Sequence, residues 1–213
     1  MTDVPGWPVD LRGITESVVT TPGPDGRWNL AALGLHAPVR GADGGDATGR
    51  AADGPAADAV TAVTWGDTRT RRNFAREGRG VVQFTSDPRT FVDAALSVVE
   101  RDDPVLDDAD AWVRVGVERV AAGEERGTRW RRWRLDATDG EVRRERVPTI
   151  NRGFAAVIDA TVAASRLDVA AYETDALLDR LDRLADVVET CGGPREREAF
   201  ARVDAHTGRC DRS

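Results

Sequence analysis

Lysine is absent from this chain, cysteine and histidine each occur only twice, and no apolar run is long. Each shortage removes a class of reading. With every one of the 30 basic residues an arginine, set against 37 acidic ones, the net charge of −7 argues against a nonspecific, phosphate-driven grip on nucleic acid. Asp runs such as Asp102-Asp103 and Asp107-Asp108-Ala109-Asp110 make the surface strongly acidic, a composition that suggests a halophilic source with a high-GC genome. Cys191 and Cys210 lie in the polar tail, too few and too badly placed for a disulfide framework, and are read as free thiols. His36 and His206 share no metal-ligand spacing with the cysteines or carboxylates, so no metal is expected. The opening MTDVPGWPVDLRG has no charged region followed by an apolar one, and nothing approaches membrane-spanning length; a cytoplasmic protein is expected.

What is present is enough for a core. A chain of 213 residues fits one large domain or a domain with an appendage, and at that size about 70% of the unfolded surface can be buried. The β-branched run from Ile14 to Thr21, the turn TPGPDG and the run from Arg27 to Ala37 predict a hairpin. Small residues crowd its second strand: Asn29, Ala31, Ala32 and Gly34. They suit either a flat ligand lying on the strand or close packing against the sheet. Residues 38–58, rich in Gly, Ala and Asp, bury almost nothing and read as a mobile insert. Further strands are expected at Ala59–Trp65, Val81–Thr85, Ala111–Ala121 and Thr128–Ala137. Ser86-Asp87-Pro88 reads as a helix start before the stripe Phe91, Ala94, Ala95, Val98 and Val99. From Ile150 onward the apolar spacing is helical, over Phe154–Leu167, Asp175–Glu189 and Arg195–Asp204. The Leu and Val stripe of the middle helix reads as packing on its own domain or as a dimer face.

Two motifs carry possible chemistry. Thr68-Arg69-Thr70-Arg71-Arg72-Asn73 concentrates hydroxyls, an amide and three guanidinium groups in six residues, the donor set a phosphate monoester needs. Equally, these arginines pair with the carboxylates of an acidic surface. Read in an extended backbone, Arg71 points away from Thr70. Arg129–Arg134, RWRRWR, has the interleaving of a single-strand nucleic-acid surface. In an antiparallel strand its arginines instead pair across to carboxylates while Trp130 and Trp133 cover the sheet.

The succession GITESVVTT, DGRWNLAALG, TWGDTRTRRNF, VVQFTSDPRTFVDAAL and NRGFAAVIDATVAASRL resembles the archaeal proteins grouped as domain-of-unknown-function family 447. These are a branch of the flavin-reductase-like, FMN-binding split barrels. The resemblance runs from Arg12 to Leu167, apart from the insert. It implies an α+β fold with a six-stranded antiparallel split barrel over residues 11–140 and a helical subdomain over 148–213. It also implies a homodimer with FMN near the subunit interface. By the same resemblance Asn29, Leu30 and Ala31 lie beside the isoalloxazine ring, and Thr68, Arg69, Thr70 and Asn73 hold the phosphate and ribityl chain. Thr85, Asp87 and Pro88 border the pocket, and Asn151, Arg152 and Gly153 approach the flavin or a second ligand. Gln83 and Asp159 stand where the family pattern has Asn and Glu.

The resulting expectation is an FMN-binding flavoprotein, an oxidoreductase of flavin-reductase type with no general acid or base identified. His36, at the end of the ring-flanking strand, is either a proton donor or a surface residue. A module that holds FMN without turnover, and a nucleic-acid-binding barrel using Arg129–Arg134, are the alternatives.

Overall fold

The computed structural model describes residues 6–38 and 58–209. The insert at 38–58 and Cys210 fall wholly or almost wholly outside them. The elements run β1 (Ile14–Pro22), β2 (Trp28–His36), β3 (Thr61–Trp65), α1 (Arg69–Glu77), β4 (Arg79–Phe84), α2 (Pro88–Leu96), β5 (Val99–Arg101), β6 (Ala111–Glu125) and β7 (Thr128–Val142). Three helices follow, α3 (Arg152–Ala164), α4 (Thr174–Cys191) and α5 (Pro194–Thr207). By contact density the chain divides into two units, residues 1–84 with 100–144, and residues 85–99 with 145–213.

In the first unit the strand order is β1-β4-β6-β7-β3-β2-β5, and β1 also pairs with β2, so six strands close into an antiparallel barrel with β5 added beside β2. Closure removes the free edges that an open sheet would expose. Val19, Leu33, Leu35, Ala62, Val82, Val113, Val115, Trp133 and Leu135 are buried together as its core. The hairpin β6–β7 is longer than the sequence suggests. Its pairing continues to Glu125 and Thr128, so Gly123 lies inside the strand and the turn is only Arg126-Gly127.

The backbone at 69–77 also differs from expectation: it is helical, not extended. Thr68 accepts from the Arg71 amide as N-cap, Thr70, Asn73 and Phe74 form the buried face, and Gly78 ends the helix at φ 59°. Three buried residues at i, i+3 and i+4 meet the helical period, and Phe74 packs edge-on against Trp133 at 5.5 Å between ring centroids. Burial of that face outweighs the middling helix propensity of Thr and Asn.

In the second unit Val92 of α2, Ala156, Val157, Ala160 and Ala163 of α3, Leu181 and Val188 of α4, and Phe200 and Val203 of α5 make one core. The stripe of α4 therefore packs within its own unit. Gly153 allows the tightest approach: a Cβ there would lie 2.5 Å from Gly192 Cα and 2.7 Å from its nitrogen. Among the described residues no helix is long and apolar enough to cross a membrane, and no group of three or more His, Cys, Asp or Glu could hold a metal.

Candidate functional site

The predicted residues of the first unit converge where α1 meets the β1–β2 hairpin. Asn29 lies directly across from Thr21 in the register of β1 and β2. Asn73 Nδ2 donates to Thr21 Oγ1 at 3.0 Å, and Asn73 Oδ1 accepts from Arg76 at 3.1 Å. Thr70 is one helical turn before Asn73 on the same buried face of α1. Asn29, Thr21, Asn73 and Thr70 thus form one polar patch. Two of its members have polar capacity to spare: Asn29 and Thr70 are only 6% and 5% exposed, their side chains hydrogen-bond to no other described residue, and their polar atoms are not among those sealed from solvent. Such groups normally find a partner in the protein, in water or in a ligand. Leu30 is buried beside Asn29, and Ala31 is half-buried.

The same patch leads to the start of α1. Arg69 and Thr70 occupy the first helical positions, so their amides have no acceptor within the helix, and the first turn carries no acidic residue. Thr68 is already engaged, its Oγ1 accepting from the Arg71 amide at 3.2 Å. The guanidinium groups of the cluster divide between Asp67 and Glu100. Arg71 and Arg72 both pair with Asp67, Arg72 at 3.3 Å. Arg69 pairs with Glu100, and Arg27 reaches the Glu100 carbonyl oxygen at 3.1 Å, its carboxylate at 3.9 Å and Asp102 at 3.4 Å. Four arginines against Asp67, Glu100 and Asp102 leave a local excess of one positive charge on a chain of net charge −7.

Thr21, Arg27 and Glu100 were not singled out from the sequence. The position of Thr21 depends on the hairpin register, and Arg27 and Glu100 are far apart along the chain. Gln83 has a purely internal role. Fully buried, it donates to Thr20 Oγ1 at 3.2 Å and to the Pro104 carbonyl at 2.9 Å, and accepts from the Leu106 amide at 2.6 Å. His36 ends β2 half-buried, in register with Ile14 and Thr61.

The remaining predicted residues belong to the second unit. Thr85 Oγ1 accepts from the Asp87 amide at 3.1 Å. Asp87 caps α2 through the Arg89 amide at 2.9 Å and binds the Arg89 guanidinium at 2.9 and 2.6 Å, which holds its carboxyl below the usual carboxylate range. Pro88 is buried as the first residue of α2. Arg89 also pairs with Glu198 at 2.9 Å, and Arg202 joins Glu198 to Asp93. Burial pushes the Asp93 carboxyl up, against the pull of Arg202. Asn151 caps α3 through the Phe154 amide at 3.1 Å, and Arg152 is exposed at the first position of that helix. Asp159 pairs with Arg180 at 3.2 Å.

Within the RWRRWR strand the in-and-out alternation is clear only from Trp133 onward. Trp133 is buried and donates to Thr64 Oγ1 at 2.9 Å, whereas Arg134 pairs with Glu118 at 2.8 Å and Asp136 at 3.0 Å. Trp130 lies over Gly123, where an added Cβ would come within 2.7 Å of the indole.

Comparison with solved structures identifies the same fold elsewhere. An FMN-bound protein from Methanosarcina mazei assigned to DUF447 superposes with a TM-score of 0.71 at 21% identity, over 92% of this chain and 96% of that one. Weaker likenesses include nitrilotriacetate monooxygenase component B from Mycobacterium thermoresistibile, with a TM-score of 0.42 at 15% identity over 63% of this chain and 72% of that one. The styrene monooxygenase flavin reductase of Pseudomonas putida S12 gives 0.39 at 14% identity over 61% and 79%. Two family models cover most of the sequence: the N-terminal domain of the DUF447 proteins of unknown function matches residues 15–144, and their C-terminal model matches residues 151–204. The chain, from its barrel strands to its last helix, belongs to the DUF447 family.

Proposed function

We propose that this protein binds FMN noncovalently, with the phosphate and ribityl chain at the start of α1 and the ring along β2. The observation that carries the reading is the pair of largely buried residues Asn29 and Thr70, beside the Thr21–Asn73 hydrogen bond, whose side-chain polar atoms bond to no other described residue yet are not sealed from solvent. The donor set fits a phosphate monoester and a polyol. The amides of Arg69 and Thr70 and the Arg69 guanidinium supply charge-assisted donors, while Thr70 and Asn29 supply a hydroxyl and an amide for neutral oxygens. The FMN held by the Methanosarcina mazei protein supports the assignment.

When bound, the flavin supplies hydride and electron transfer. The chain's own contribution is to bind and orient: Asn73, tied to Thr21, fixes the buried face of α1, and the α1 N-terminus holds the anionic end. An oxidoreductase of flavin-reductase type, assembled as a homodimer, is the fuller form of the proposal. The protein purified in high salt should be yellow, release FMN on denaturation, bleach on addition of NADH or NADPH, and scatter light as a dimer. A yellow protein that neither nucleotide reduces would be a flavin-holding module. A colourless protein whose visible spectrum stays unchanged on mixing with FMN would refute the assignment.

A further inference from the structure

Two guanidinium groups from distant parts of the chain meet at Glu100 in β5: Arg69, at the start of α1, binds its carboxylate, and Arg27, after the hairpin turn, donates to its backbone carbonyl at 3.1 Å and lies 3.9 Å from the carboxylate. None of the three is deeply buried: the side chains are 48%, 46% and 33% exposed. Ion pairs this exposed add little to stability, so holding the fold together is a weak reason for the arrangement. It does have a chemical consequence. Two arginines gathered around one oxyanion, one bonded to it and one within 4 Å, are already positioned for another, and a phosphate dianion with three terminal oxygens satisfies two guanidinium forks better than one carboxylate does. The incoming phosphate meets Glu100 as a like charge at the same place.

We propose that Glu100 is a resident counter-anion that keeps Arg27 and Arg69 positioned and gives way to the ligand phosphate. Arg27 is then a second phosphate-reading residue, and Glu100 sets how strongly the site prefers a phosphorylated ligand over its neutral counterpart. The inference rests on the FMN reading above and deepens it. Arg27 falls within the DGRWNLAALG motif but outside the Thr68–Asn73 stretch to which the resemblance gives the phosphate, and Glu100 lies in none of the motifs. Asp102, 3.4 Å from Arg27, can keep part of that guanidinium's charge balanced once Glu100 has moved.

The experiment measures FMN and riboflavin affinity by flavin fluorescence for wild type, Glu100→Gln and Arg27→Ala, at the lowest salt that keeps the protein folded, since screening weakens exposed charges. Glu100→Gln keeps the size and hydrogen-bonding capacity but removes the competing charge. It should tighten FMN about 5- to 10-fold and leave riboflavin unchanged, and Arg27→Ala should weaken FMN about 10-fold with riboflavin again unchanged. A Glu100→Gln protein that binds FMN no better, or that changes both ligands equally, overturns the counter-anion role while leaving FMN binding intact. A wild type that binds neither ligand overturns the FMN reading and this inference together. Thermal melts of both variants report whether they fold, and Arg27→Ala tests the phosphate contact independently of Glu100.

Discussion

Replacing Gln83 by Leu tests whether this residue, which sits where the family pattern has Asn, serves the fold or the ligand. The two side chains have similar volume, so the change removes polar atoms without opening a large cavity. Thr20 Oγ1 still donates to the Pro104 carbonyl at 2.6 Å, so that oxygen remains satisfied. The Leu106 amide does not: it belongs to a residue 2% exposed, and Gln83 Oε1 is its acceptor at 2.6 Å. A buried donor left without an acceptor costs about 1–3 kcal/mol, and the lost Nε2 bonds add roughly 0.5–1.5 kcal/mol. The better transfer of Leu offsets part, leaving about 2–3 kcal/mol of destabilisation. For a chain of this size that corresponds to a fall in Tm of roughly 4–12 °C. Differential scanning calorimetry reads the stability, and flavin titration of the folded variant at low temperature reads the ligand. Lost stability with unchanged FMN affinity is expected. A variant as stable as wild type to within about 0.5 kcal/mol, with FMN affinity lost, would mean that Gln83 faces the ligand and that the account of the residue 104–106 loop is wrong.

Four other changes follow from local geometry and charge. Arg126 is the one non-glycine residue with positive φ among those described, at 49°, followed by Gly127 at 77°, so Arg126→Asn should stabilise the β6–β7 hairpin by about 1 kcal/mol in urea denaturation. Asp87 and Asp93 should answer to pH with opposite signs. The lowered Asp87 carboxyl contributes stability that is present above its unfolded value, near 3.9, and is lost as pH falls through the folded value, so Asp87→Asn should flatten the acid limb of a Tm-versus-pH curve. The raised Asp93 carboxyl favours the fold only below its unfolded value and loses that contribution as pH rises through the folded one, so Asp93→Asn should be neutral or stabilising at pH 7. Gly153→Ala gains about 1 kcal/mol of helix propensity but drives a methyl into Gly192 backbone at 2.5 Å, and should melt earlier with its preference for FMN over riboflavin unaltered.

The barrel was legible in the sequence because β-branched and apolar residues run together at Val18–Thr20 and Val81–Val82 and alternate through Val113–Val117, with turn residues between them. The helices after Asn151 were legible because their apolar spacing is unambiguous. The Thr68–Asn73 cluster was legible as a donor set but not as a helix. Six polar residues have no apolar period, and Phe74, whose burial against Trp133 fixes the helix, lies one residue beyond the cluster. The patch around Thr21 required the β1–β2 register, which sets Thr21 opposite Asn29. The Arg27–Glu100–Arg69 convergence joins three segments, and nothing local to any of them announces the others. Asn151 and Gly153 show the converse. A short motif suggestive of ligand contact also has local tasks, capping α3 and letting it approach Gly192.

The central claim is that the start of α1 holds the phosphate of FMN, and titration of wild type and Arg69→Ala with FMN and with riboflavin tests it most directly. Removing one charge-assisted contact costs about 1.5–3 kcal/mol, so FMN affinity should fall roughly 10- to 100-fold while riboflavin, which has no phosphate, binds both proteins equally. Equal loss for the two ligands, or no loss for either, would contradict it.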